Sequence, residues 1–347
     1  MKDELGDRMK SYYENRSKTF LARRTPVIIR LDGKAFHTFT RGFNKPFDGA
    51  MCNAMQETMK YLCENIQGCV LGYTQSDEIT LILIDYQKLT TDAWFDYNVQ
   101  KICSVAASMA TLIFNRRFQE QIVELSYNGK LDDDELTSSY KRSLKTGAMF
   151  DARCFNIPKE EVTNCILWRQ QDATRNSIFS AGQAYFSHKQ LEGLNSNQIQ
   201  ELLFQEKGIN WNDYPTKFKR GSCCIKKYHQ TMNQTLRSYW FIDNEIPIFK
   251  GEDREYIEKT YSMSRTYKEH HPTAHNPKNR IPTPYLDKEG KVERRRKRRA
   301  YGSQGWKGWG GEIYFKKYGE IMMDVVDKKK ARREAKKHIE NELQDQL

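Results

Sequence analysis

The chain has 347 residues, 38% of them hydrophobic and 29% charged, with a formal net charge of +12. This is enough apolar residue for one large folded domain or two ordinary ones, and no run is long enough to span a bilayer. The positive balance points to polyanionic partners, nucleic acid before membrane surfaces. Met1–Lys10 carries no apolar signal core, so the expected compartment is the cytoplasm. The eight cysteines form no C-x-x-C and have no histidine at zinc-finger spacing; they read as reduced, mostly buried thiols.

Residues 1–25 read as a charged helix bearing Tyr12, Tyr13 and Phe20. Pro26 then introduces Val27-Ile28-Ile29-Arg30-Leu31, a β-branched run closed by Asp32-Gly33, the pattern of a buried strand ending in a turn. Such a strand puts Asp32 where a sheet meets solvent, and Gly33 lets backbone approach a ligand. A loop rich in glycine, proline and aromatics follows, and Asp48 is placed to cap the next helix. Met51, Ala54, Met55, Met59 and Leu62 recur at helical spacing, as core packing does.

Residues 69–85 read as a β-hairpin with Ser76-Asp77-Glu78 at its tip, and residues 98–118 as a helix. An acidic connection containing Asp132, Asp133 and Asp134 leads to a strand over 149–157. The order strand, helix, hairpin, helix, strand is the split βαββαβ arrangement of ferredoxin-like sheets. The expected fold class is therefore α+β, an antiparallel sheet with packed helices and a basic C-terminal extension. Residues 158–232 read as mainly helical, anchored by Trp168, Phe179, Tyr185, Phe186, Leu202, Leu203 and Phe204, with added strands within 226–249. The expected division is 1–157, 158–249 and a basic extension over 250–347. That extension holds four prolines, the run Arg294–Arg299, a Gly/Trp-rich stretch with Trp306 and Trp309, and a charged end. It reads either as an RNA clamp or as a solvated tail.

The ferredoxin-like order sets Asp32 and Asp77 on neighbouring strands at one end of the sheet. Two such carboxylates suit two-metal phosphoryl chemistry with Mg²⁺, whose shell is completed by substrate phosphates and water. The Gly33 carbonyl could add a ligand, the N–H groups from Lys34 to His37 could hold phosphate oxygens, and Lys45 could supply counter-charge. Taken singly these are common features: Asp-Gly is an ordinary turn, Ser-Asp-Glu an ordinary hairpin tip, and a lone His37 is more often structural.

Taken jointly they resemble a known family. Ile29 to His37, Lys45-Pro46-Phe47-Asp48, Gln75-Ser76-Asp77-Glu78, Phe150-Asp151-Ala152-Arg153, Trp168-Arg169-Gln170-Gln171-Asp172 and Phe204 to Asn210 strongly resemble, in the same order, the tRNA-His guanylyltransferase family. The resemblance covers roughly residues 3–225 and implies a polymerase-type palm that adds nucleotides to the 5′ end of tRNA, in the 3′–5′ direction. In that family a 5′-monophosphate is first activated with ATP or GTP, and the 3′-hydroxyl of an incoming GTP then attacks the activated end. By motif position Asp32, Gly33 and Asp77 would bind two Mg²⁺, with Asp32, Asp77 and Glu78 as the catalytic group. Asp32, Gly33, Lys34, Ala35, Phe36, His37, Ser76 and Asp77 would contact the triphosphate, and Lys45 and Lys101 would neutralise phosphates. Arg169, Arg175, Asn176 and Asn210 fall on the tRNA side. The resemblance also implies a homotetramer.

Two departures from the family pattern stand out, the first bearing on specificity and the second on a phosphate contact. The eukaryotic enzymes carry a histidine soon after Trp-Arg-Gln-x-Asp, where this chain has Thr174, although Asn176 remains. Threonine offers no imidazole to stack or hydrogen-bond. Tyr97-Asn98 stand where arginines are expected. The pattern is closer to guanylyltransferase-like proteins that repair 5′-truncated tRNA by templated addition. The competing expectations are a palm-type nucleotide cyclase and a non-catalytic RNA-binding protein.

Overall fold

The computed structural model describes residues 3–129, 131, 134–230 and 236–262. The basic run, Trp306, Trp309 and the charged end lie outside these residues, as do Asp132 and Asp133.

Six strands form one antiparallel sheet: β1 Val27–Gly33, β2 Cys69–Gln75, β3 Glu78–Leu83, β4 Phe150–Asn156, β5 Ser222–Gln230 and β6 Leu236–Asp243. The order across the sheet is β4-β1-β3-β2-β5-β6. The first four strands have the expected ferredoxin-like order. The last two extend the sheet beyond β2, so a strand begins at Ser222 inside the stretch read as helical. Cys223 and Cys224, both buried, give β5 its entry into the sheet and conceal the strand among basic residues.

The helices are α1 Glu4–Tyr12, α2 Phe36–Phe39, α3 Gly49–Asn65, α4 Val99–Tyr127, α5 Asp134–Thr146, α6 Val162–Tyr185, α7 His188–Leu191, α8 Ser196–Lys207, α9 Thr216–Arg220 and α10 Glu255–Tyr261. Asp48 caps α3, its Oδ1 accepting from the Met51 N–H at 2.8 Å. The Met55, Met59 and Leu62 stripe of α3 packs with Ile102, Ala106, Ala110 and Phe114 of α4 under Ile29, Leu31, Ile79 and Leu81. The opposite face carries Ile28, Leu71, Tyr73 and Ile82, covered by Val162 and Ile166 of α6 and Ile257 of α10. Burial on both faces explains why β1 is a continuous apolar run rather than an alternating one. A third cluster joins Ile178 and Ala181 of α6 to Leu191, Ile199, Leu203 and Trp211.

Several expectations change. The described residues 3–25 hold the short α1 and a 3-10 turn rather than one long helix, and Tyr12, Tyr13 and Phe20 are exposed. The helix expected over 98–118 runs on to Tyr127, and the acidic connection continues into α5. Trp168, Tyr185 and Phe204 are exposed rather than buried anchors. All eight cysteines are free, and five of them are buried. Among the described residues no helix is long and apolar enough to cross a membrane.

Candidate active site

The site is built where β1 ends beside the β2–β3 turn. In the sheet register Asp32 stands opposite Glu78 on one side and Asp151 on the other. Residues directly opposite in an antiparallel ladder point to the same face, so three carboxylates line up at the end of three adjacent strands. Like charges placed this way repel, and a sheet tolerates them where function requires it.

Asp77 joins them through the backbone. Ser76 and Asp77 form a two-residue turn with Ser76 in the left-handed region at φ 49°, as tight hairpins demand. The Gly33 N–H donates to the Asp77 carbonyl at 3.1 Å, locking the turn onto the end of β1. The Ser76 hydroxyl lies 3.0 Å from Asp77 Oδ1. Burial pushes the Asp77 carboxyl up to about 6, and the charges of Asp32 and Glu78 add to the rise.

Beyond Gly33 the chain turns sharply. The Lys34 N–H donates to the Met149 carbonyl at 2.9 Å, and Ala35 is left-handed at φ 54°. The N–H groups of Ala35, Phe36 and His37 make no hydrogen bond among the described residues. The Phe36 ring is buried against Phe39, Phe114 and Phe150, so it anchors this turn in the core and leaves only its backbone to a ligand. Gly33 is required here: a Cβ would meet the Phe36 ring at 2.2 Å.

Glu78 is held by a buried network. Arg169 of α6 donates to it through Nε at 2.9 Å and Nη2 at 2.9 Å, and also donates to Asp172 at 2.8 Å. Arg30 lies 3.5 Å from Glu78, and Gln75 donates to it at 3.1 Å. The Arg169 side chain is only 5% exposed. Arg175 pairs with Asp172, to which Asn176 also donates at 3.4 Å. The Thr174 hydroxyl turns back to the Gln170 carbonyl at 2.9 Å. Asp151 and Arg153, not singled out from the sequence as site residues, belong to this face: Arg153 lies 3.0 Å from Asp151 and 4.0 Å from Asp32. The signal that could have found them was the β4 register against β1.

A cleft opens beside the Ser76 turn. Pro46, Phe47 and Asp48 form one wall, Thr74, Gln75 and Ser76 a second, and Ala173, Asn176 and Ser177 of α6 a third. Lys45 adjoins the first wall in the chain. Asn210 caps a 3-10 turn by accepting from the Asn212 N–H at 3.1 Å. The next residue, Trp211, donates to Ser177 at 3.1 Å, which ties that turn to α6. Lys101 is not brought to the site. It lies in the first turn of α4, whose cap Asn98 bridges Phe20 near the start of β1. Farther along α4, Thr111 bonds Phe150 at the Asp32 end of the sheet.

Among the described residues no three His, Cys, Asp or Glu side chains form a metal cage. Two carboxylates with a backbone carbonyl make an all-oxygen donor set. This fits Mg²⁺, which keeps waters and takes phosphate oxygens, and does not fit softer ions. A carboxyl whose burial disfavours its charge is stabilised by a cation at that position.

The family description tRNAHis guanylyltransferase matches residues 6–158, and Thg1 C terminal domain matches residues 160–288. A solved bacterial tRNA(His) guanylyltransferase-like protein in complex with ATP is 45% identical, covering 75% of this chain and 100% of its own, with a TM-score of 0.63. One in complex with GTP is 43% identical with a TM-score of 0.60, over the same shares. A probable tRNA(His) guanylyltransferase of Dictyostelium discoideum is 26% identical over 259 residues, 71% of this chain and 89% of that protein. The chain therefore belongs to the tRNA(His) guanylyltransferase family, nucleotidyltransferases acting on the 5′ end of tRNA.

Proposed function

We propose that this protein is a Mg²⁺-dependent 3′–5′ nucleotidyltransferase, and that its task is templated repair of 5′-truncated tRNA rather than guanylate addition confined to tRNA-His. The observation that carries the chemistry is the joining of Asp32 and Asp77 at one sheet end by the Gly33–Asp77 backbone bond. Asp32, the Gly33 carbonyl and Asp77 would hold two Mg²⁺. When bound, the ions supply charge for the phosphates and lower the pKa of the attacking hydroxyl.

The chain's own groups do the rest. Ala35, Phe36 and His37 offer free N–H groups to triphosphate oxygens, with Lys34 and Lys45 as counter-charge. The cleft beside Ser76 takes the base of ATP or GTP. In activation a 5′-phosphate oxygen of tRNA attacks the α-phosphorus and pyrophosphate leaves. In addition the 3′-hydroxyl of the incoming nucleotide attacks the activated 5′-phosphorus and AMP leaves, or pyrophosphate leaves where the end already carries a triphosphate. Glu78 is fixed by Arg169, which is spent on it and acts by position rather than by gripping RNA. Arg175 and Asn176 remain exposed for tRNA, with Asn210 nearby. Lys101, at the far end of the sheet, would serve the site of a neighbouring copy in a homotetramer.

Breadth of substrate rests on Thr174. Its hydroxyl is committed to its own helix, so the position presents a methyl group and no imidazole to an identity nucleotide. The test is incorporation of labelled nucleotides into 5′-truncated tRNAs of several identities, varying the opposing nucleotide. Complementary addition on many tRNAs supports repair; addition confined to tRNA-His overturns it. A cyclic nucleotide formed without RNA, or binding without incorporation, would replace the transferase reading.

A further inference from the structure

Trp168 is an exposed aromatic, beside the carboxylates, that this reading leaves unused. It sits on α6 over the sheet face that carries Asp32 and Glu78, and it is 51% exposed. The Arg169 guanidinium lies 4.5 Å from its ring centroid and that of Arg30 5.3 Å. Those two side chains are only 5% and 16% exposed. They therefore back the indole on its protein side, and the exposed part of the ring looks outward.

The position of Trp168 relative to the cleft is informative. Along α6 the chain passes Trp168, then the Arg169–Glu78 pair, then Ala173, Asn176 and Ser177 in the cleft wall. The cleft thus lies on the β2–β5 side of Glu78. Trp168 lies on the β1–β4 side, over Arg30, whose register neighbour on β4 is Arg153. Asp32 is two residues beyond Arg30 on the same strand face. A nucleotide seated in the cleft leaves the β1–β4 side for the second reactant, and both must meet at Asp32 and Asp77.

We propose that Trp168 is the stacking platform for the terminal nucleobase at the 5′ end of the RNA substrate. This rests on the tRNA-directed reading above and adds to it the place where the RNA end is held. An aromatic face stacks any base, which suits an enzyme that accepts ends of differing sequence. Arg153, the exposed cross-strand neighbour of Arg30, puts complementary charge for a polyanion on this side of the sheet and disfavours an apolar protein partner.

The test is equilibrium binding of a 3′-fluorescein-labelled acceptor-stem hairpin RNA with a 5′-monophosphate, measured by anisotropy. A second hairpin is abasic at the 5′-terminal position. Wild type is compared with Trp168→Leu, which still covers the guanidiniums but has no aromatic face, and with Trp168→Tyr. Expected is a loss of roughly tenfold or more for Trp168→Leu on the intact hairpin, the worth of one base–aromatic stack. The abasic hairpin should bind wild type and Trp168→Leu alike, Trp168→Tyr should keep most of the affinity, and the KM for ATP should not move. A merely structural role would weaken binding of both hairpins equally and would overturn the proposal. So would a rise confined to the KM for ATP. If wild type binds neither hairpin, the tRNA-directed reading fails as well. If wild type binds both and Trp168→Leu matches it on both, the stacking proposal alone is overturned.

Discussion

Arg169 holds Glu78 through two hydrogen bonds of 2.9 Å while Glu78 stands directly across from Asp32 in the sheet. A helix residue therefore sets the geometry of a carboxylate one strand away from Asp32. Removing the arginine leaves Glu78 largely buried without its main counter-charge. Arg169→Met is expected to cost about 3 kcal/mol, read as a fall in the urea midpoint. Arg169→Lys should recover little, because an ammonium cannot make the two-pronged contact.

Gly33→Ala should damage the site through packing. The new Cβ would meet the Phe36 ring at 2.2 Å, and that ring is wedged among Phe39, Phe114 and Phe150. A cost of about 1–3 kcal/mol follows from overpacking. The displaced turn should also weaken ATP binding. An unchanged melting temperature together with unchanged ATP affinity would contradict this account of the glycine.

The raised Asp77 carboxyl gives a pH signature in metal-free protein. Its folded value, about 6, lies above its unfolded value near 3.9. The group therefore adds stability that is fully present below about pH 4 and is lost as pH rises through about 6. Asp77→Asn removes this dependence. In EDTA the variant should be the more stable form at pH 8, by about 1–3 kcal/mol, and the difference should shrink toward pH 5. Urea midpoints across that range check the sign, and Mg²⁺ should narrow the gap at pH 8 from the wild-type side.

The palm order was legible because β1 and the hairpin are apolar runs with clear turn signals and β4 alternates apolar with charged residues, and the Asp32–Asp77 pairing followed from that order. What stayed hidden came from tertiary context. Arg169 reads as an RNA-facing arginine in a motif, yet α6 turns it inward onto Glu78. Trp168 reads as a core anchor and is exposed for the converse reason. Asp151 and Arg153 enter the site only through cross-strand register, which no local pattern reports. Strand β5 was masked by the lysines that follow its buried cysteines.

Thr174→Ala tests the substrate reading. The hydroxyl is bonded to the Gln170 carbonyl within α6, so its loss should change neither the range of tRNAs used nor the rate of addition by more than about twofold. Narrowing of that range on substitution would assign Thr174 a direct part in tRNA choice.

The most direct measurement is Mg²⁺-dependent addition of a templated nucleotide to a 5′-truncated tRNA by Asp32→Ala and Asp77→Ala, alongside their melting temperatures and tRNA affinities. The account predicts that both variants fold, bind tRNA nearly as wild type does, and add no nucleotide. Undiminished addition by either variant would contradict it.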